Sequence, residues 1–127
     1  MTDLELLKEA ESASEYSYSP YSHFKVGAAI LTKNGKVYSG CNIENASFGA
    51  TVCAERVALF KAVSEGNCEL EKIAVYSPDS DNCSPCGICR QALAEFSTDM
   101  QVIYRACARG VVSLPLNELL KDSFMLS

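Results

Sequence analysis

The sequence contains no tryptophan and a single histidine, His23. It has no run of basic residues and no apolar run near the ~20 residues that cross a bilayer. Each shortage excludes something. With one imidazole available, a metal centre must lean on sulfur. With 11 Lys and Arg against 16 Asp and Glu, the net charge is −5, so broad electrostatic binding to nucleic acid is excluded. The segment Met1-Thr2-Asp3-Leu4-Glu5 is acidic and lacks the basic start and apolar stretch of a signal peptide. The expected location is cytoplasmic, with no membrane partner.

What is present describes an ordinary globular chain. Apolar residues make up 48% and charged residues 21%, which excludes global disorder. The 127 residues match one domain, 1–127, long enough to bury a real core. Leu4, Leu6, Leu7, Ala10 and Ala13 recur at helical spacing. A loop over Ser12–Ser22, containing Pro20, leads to an apolar strand over Phe24–Leu31. Asn34-Gly35 signals a hairpin, with Val37–Cys41 as the returning strand. A helix over Cys53–Ser64 stops at Gly66. Strand Lys72–Tyr76, a polar loop over Asp79–Pro85, helix Gly87–Phe96 and strand Gln101–Tyr104 follow. Val111–Leu114 reads as a fifth strand and Leu116–Leu120 as a short last helix. The order predicts an α/β fold, a single three-layer α-β-α domain with one mixed, about five-stranded sheet.

The seven cysteines are odd in number, which in a reducing compartment favours thiols, catalytic groups or metal ligands over disulfides. Two fragments stand out: Cys53-Ala54-Glu55-Arg56 and Pro85-Cys86-Gly87-Ile88-Cys89-Arg90. Each opens a predicted helix, where partial positive charge depresses thiol pKa values. Cys86 and Cys89 are three apart and share one face of the first turn. Cys53 would add a third sulfur, leaving an open fourth position of the kind catalytic zinc keeps. Glu55, in the first turn after Cys53, could reach water at that position without ligating the ion. Other readings stay open: a redox Cys-x-x-Cys, a structural site recruiting Cys83, or an iron–sulfur spacing over Cys83, Cys86 and Cys89 that lacks its fourth Cys-Pro.

Cys-Ala-Glu followed by Pro-Cys-Gly-x-Cys-Arg-Gln resembles the zinc nucleoside and nucleotide deaminase superfamily. Pro20–Ala29 and Gly40–Phe48 are similar to segments of its small homotetrameric cytidine deaminases. The resemblance implies one Zn²⁺ per chain on Cys53, Cys86 and Cys89, and hydrolysis of cytidine and 2′-deoxycytidine to the uridines plus ammonia, in pyrimidine salvage. It implies that Glu55 moves protons from water to the pyrimidine N3 and then to the leaving ammonia. Asn42 and Glu44, two apart in an extended segment, would hold a ribose hydroxyl. Phe24 would stack near the base, and the backbone at Ala54 would meet its edge. Arg56 would offset the thiolate charge, with Arg90 the other candidate. Phe48 stands where many relatives carry Tyr. Phe124 aligns with a tail aromatic proposed to cover a neighbouring subunit's pocket, although Lys121 replaces a Pro. Without the resemblance, Asn42 and Glu44 read as a solvated loop, Phe24 as core, and Arg56 as a surface arginine. Two alternatives remain: a blasticidin-S-type or other small-molecule aminohydrolase of the same superfamily, and a non-catalytic zinc-stabilised domain, against which Glu55 argues.

Overall fold

The computed structural model describes residues 1–126. Its first helix, α1 (Asp3–Ser14), opens with a capping box. The Thr2 hydroxyl accepts the Glu5 N–H at 3.2 Å, and the Glu5 carboxylate accepts the Thr2 N–H at 3.0 Å. Leu6, Leu7, Ala10 and Ala13 are buried, while Leu4, counted into the same stripe, is exposed.

Strands β1 (Gly27–Thr32) and β2 (Val37–Cys41) form the hairpin. Its loop is Lys33-Asn34-Gly35: Gly35 N–H donates to the Thr32 carbonyl, Thr32 N–H donates to that of Lys36, and Gly35 sits at φ +88°. The left-handed glycine closes a three-residue turn. Helix α2 (Ala54–Ser64) precedes β3 (Leu70–Tyr76), helix α3 (Gly87–Ala94) precedes β4 (Gln101–Arg105), and β5 (Val111–Pro115) leads into the short α4 (Leu116–Leu119). The sheet order is β2-β1-β3-β4-β5, with β3 and β4 parallel and the other neighbours antiparallel. This is the expected mixed five-stranded sheet.

Alternation along β1 covers both faces of the sheet. Ala28 and Ile30 join Ala58, Leu59, Leu93 and Val102 beneath α2 and α3; Ala29 and Leu31 join Leu6, Leu7, Ala10 and Ile103 beneath α1. Two glycines set the helix distances. A Cβ on Gly27 would lie 1.9 Å from the Ala10 carbonyl oxygen, and one on Gly40 would lie 2.7 Å from the Ala58 nitrogen and 2.9 Å from the Ala54 oxygen. α1 and α2 therefore rest directly on strand backbone, and the Gly40 contact fixes where the first turn of α2 lies.

Several boundaries differ from the sequence reading. β1 starts at Gly27 rather than Phe24, because side chains take the hydrogen bonds that a ladder would have supplied to Phe24–Val26. β3 begins at Leu70, ahead of Lys72, where Leu70 pairs across to Thr32 past a register shift. α3 ends at Ala94, since Phe96 and Ser97 N–H both turn back to the Leu93 carbonyl.

Gly27→Ala is expected to lower folding stability by about 1–3 kcal/mol or more, the cost of overpacking against rigid backbone. Chemical denaturation of the two proteins measures it, and an unchanged midpoint would mean that α1 can lift off β1 freely.

Candidate metal centre

Cys53 is the N-cap of α2 and Cys86 the N-cap of α3, both with extended backbone and neither side chain capping its own helix. Each sulfur is thus free to face the other helix. Cys89, one turn into α3, is buried. The sulfurs of Cys53, Cys86 and Cys89 all lie within 4.8 Å of one another, and those of Cys53 and Cys86 are 3.9 Å apart. A tetrahedral ion with bonds of about 2.3 Å to sulfur needs its sulfurs about 3.8 Å apart. The donor set fits zinc, with a fourth position left for a non-protein ligand. Cys83 is outside the cluster: burial and the nearby Glu55 carboxylate push its thiol up to about 12. The geometry removes the four-cysteine reading.

The Cys53 and Cys89 sulfurs shift in opposite directions. A hydrogen bond from Cys89, then contacts to Arg56 and Cys86, hold the Cys53 thiol down at about 5 against the opposing effect of burial. The Cys89 thiol moves in the opposite direction, raised by its bond to Cys53 and by burial. Cys53 therefore carries the negative charge and Cys89 keeps its proton, which metal binding must displace. Arg56 Nη2 donates to the Cys53 sulfur at 3.6 Å. Its Nε is buried with no hydrogen-bond partner among the described residues. Arg90 does not compete for the role: it binds the Pro85 carbonyl at 2.8 Å and the Leu119 carbonyl at 3.0 Å, tying the loop to α4.

Glu55 is 4% exposed. Burial, with the Cys53 charge, raises its pKa above the usual carboxylate value, while hydrogen bonds from its own N–H, the Cys86 N–H and the Cys89 thiol hold part of the anion. Such a carboxyl is poised to accept and return protons. It lines a cavity of about 470 Å³ together with Phe24, Asn42, Glu44, Cys53, Ala54, Cys83 and Cys86.

Asn42 and Glu44 have further duties. Asn42 Oδ1 accepts from Ser17 Oγ at 2.5 Å and from Val26 N–H at 3.0 Å, while Nδ2 donates to the Phe24 carbonyl at 2.7 Å. One amide N–H is left for a ligand. The Glu44 carboxylate accepts the Tyr21 and Ser22 N–H groups at 3.0 and 3.1 Å and the Ser22 hydroxyl, and these bonds lower its pKa. It is ionised at neutral pH. Phe48 and Phe124 are not brought to the cavity. Phe48 is 77% exposed and packs edge-on against Tyr21; Phe124 is 68% exposed and its backbone is bound to the Gln91 side chain. Sequence reasoning missed Ser22, Val26, Thr51, Val52 and Ser84 in the lining, residues with no chemical signature of their own. Among the described residues no helix is long and apolar enough to cross a membrane.

Residues 1–106 match the family described as the cytidine and deoxycytidylate deaminase zinc-binding region. A cytidine deaminase from Halalkalibacterium halodurans is 48% identical over 94% of this chain and 91% of its own length. A blasticidin-S deaminase from Bacillus cereus is 38% identical, covering 80% of this chain and 77% of its own. The crystal structure of a cytidine deaminase from Burkholderia pseudomallei superposes with a TM-score of 0.90 at 42% identity, covering 98% of this chain and 100% of that one.

The depressed Cys53 pKa has a sign that can be checked. Its thiolate stabilises the metal-free fold above the ordinary thiol value of about 8.5, and that contribution is lost as pH falls through about 5. Cys89, shifted upward, acts oppositely as pH rises past the ordinary value. In chelator-treated protein, the thiolate absorbance that Cys53→Ser removes should titrate near about 5, and Arg56→Gln should move that midpoint upward. A midpoint near the ordinary ~8.5 would contradict the arrangement.

Proposed function

The chain belongs to the cytidine and deoxycytidylate deaminase zinc-binding family, and on that premise we propose that it hydrolyses cytidine and 2′-deoxycytidine to uridine and 2′-deoxyuridine with release of ammonia, in cytoplasmic pyrimidine salvage. The observation that carries this reading is the buried Glu55 carboxyl set beside a three-sulfur cluster at the wall of one cavity.

Cys53, Cys86 and Cys89 would hold the zinc, which when bound supplies a Lewis acid and lowers the pKa of water at its open position to about 7. The rest falls to the chain. Glu55 takes a proton from water and places it on the pyrimidine N3 as the water oxygen adds to C4. It then takes the second proton from that oxygen and gives it to the amino nitrogen, which leaves as ammonia while C4 becomes a carbonyl. Both protons come from one water, and the carboxyl ends as it began. Its raised pKa suits a group that must alternate between acid and base.

Phe24 stacks near the base and the Ala54 backbone meets its edge. The remaining Asn42 N–H and the Glu44 carboxylate hold a ribose hydroxyl. An ionised Glu44 in the cavity favours a nucleoside over a nucleotide, because it would repel a phosphate. Arg56 keeps the Cys53 sulfur anionic. Exposed Phe48 and Phe124 fit a homotetramer in which neighbouring copies complete each pocket. The second reading, deamination of blasticidin S, is favoured by the Bacillus cereus relative of that name. Side-by-side turnover of cytidine and blasticidin S, followed by ultraviolet absorbance, decides between them; activity on blasticidin S alone would overturn the first.

Glu55→Gln should keep its zinc and lose about 10²–10⁴-fold or more in kcat, because an amide preserves shape but moves no protons. Retention of near-parent turnover would remove Glu55 from the proposed role.

Light scattering should report four copies, and Phe124→Ala should raise KM with zinc content unchanged. An active monomer at assay concentration would refute the shared pocket.

A further inference from the structure

Strand β1 lies between β2 and β3, and its ladder ends at Gly27, which faces Cys41 on one side and Tyr76 on the other. Upstream, Phe24–Val26 continues between the ends of those two strands without being a strand. All six of its backbone polar groups are nevertheless bonded, five of them by side chains. Phe24 N–H reaches Ser22 Oγ at 3.0 Å; Asn42 takes the Phe24 carbonyl and the Val26 N–H. Only the Val26 carbonyl is met by backbone, the Asn42 N–H at 3.2 Å.

Lys25 faces the other flank. Its N–H donates to Asp79 Oδ2 at 2.9 Å, and its carbonyl accepts from Ser77 Oγ at 2.5 Å. Ser77 Oγ in turn accepts the Asp79 N–H at 3.1 Å, and Ser77 is 4% exposed. A buried hydroxyl and a carboxylate from the turn after β3 thus hold both polar groups of a single peptide residue. Phe24 and Val26, on either side of it, line the cavity, whereas Ser77 and Asp79 do not.

We propose that Ser77 and Asp79 are positioning residues for the nucleoside: they clamp the Lys25 backbone and so fix Phe24 as a wall of the cavity. The inference rests on the nucleoside reading of that cavity. Without the clamp the Lys25 N–H turns to water, Phe24 gains freedom, and the substrate must supply the ordering that the chain no longer does. The loss falls on binding, because the sulfurs and Glu55 are anchored on α2 and α3.

The test compares zinc-loaded parent, Asp79→Ala, Asp79→Asn and Ser77→Ala in cytidine kinetics, zinc content and amide exchange at Lys25. Asp79→Ala should raise KM by roughly tenfold, the scale of one hydrogen bond to a charged group. It should do so with kcat and zinc near parent values and with faster Lys25 exchange. Asp79→Asn should restore KM and protection, since its amide oxygen still accepts the Lys25 N–H. Ser77→Ala removes the other half of the clamp, is read the same way, and does not depend on Asp79→Ala folding. Unchanged KM in the alanine variants, or equal damage in Asp79→Asn, overturns the clamp. Exchange at Lys25 needs no substrate, so a clamp that fails shows there. Absent cytidine turnover in the parent overturns the nucleoside reading instead, and the proposed role in substrate binding with it.

Discussion

The Cys53 and Cys86 sulfurs meet at 3.9 Å across 33 positions of sequence, and that approach is what the remainder of the fold maintains. Each sulfur sits at a helix N-terminus, so two helix ends converge on one point. At Cys53 the hydrogen bond from Cys89 and the Arg56 side chain favour thiolate, while burial opposes it. Neither helix could hold this position alone. α2 is located by its contact with bare backbone at Gly40, and α3 by the crossover that links the parallel pair β3 and β4. The Arg90 side chain ties the loop before α3 to α4, so the second helix end is braced from both sides.

Charge within the site is divided rather than accumulated. The Cys53 thiolate is stabilised by the hydrogen bond from Cys89, which keeps its proton, and by Arg56. The same negative charge, with burial, pushes the Glu55 carboxyl toward its protonated form. A carboxyl whose pKa is raised by burial holds a proton more readily than a solvent-exposed glutamate, which suits a group that must both accept and return protons. The chemistry of the site is therefore inseparable from its burial.

The part of the cavity wall lined by Phe24 and Val26 is built by different means. There the backbone of Phe24–Val26 runs between two strand ends with its hydrogen bonds made by Asn42, Ser22, Ser77 and Asp79. Asn42 and Glu44 each do double work, holding this segment and its neighbour Ser22 while presenting polar atoms to the cavity. A side-chain scaffold of this kind satisfies backbone groups outside any ladder, with Asn42 alone supplying two of the five side-chain bonds.

Much of this was open to reading from the residues. The helical spacing of Leu6, Leu7, Ala10 and Ala13, the Asn34-Gly35 hairpin signal, and the three-residue interval between Cys86 and Cys89 are local patterns, and local geometry alone sets their consequences. Cys53 with Glu55, placed at the start of a helix, was likewise legible as a candidate partner. The roles offered for Asn42, Glu44, Phe24 and Arg56 came from family resemblance, since an extended polar segment and a helix arginine carry no signal of their own. What the linear order could not decide was which distant groups would meet. The apolar run beginning at Phe24 reads as strand, yet its first three residues are withdrawn from the ladder by side chains as far away as Asp79. Cys83 is as near in sequence to Cys86 as Cys89 is, and only the fold turns it out of the cluster and leaves its thiol protonated. Spacing determines which side chains share a helix face; the packing of α2 and α3 against the sheet determines which of those faces confront each other, and burial then sets their charge.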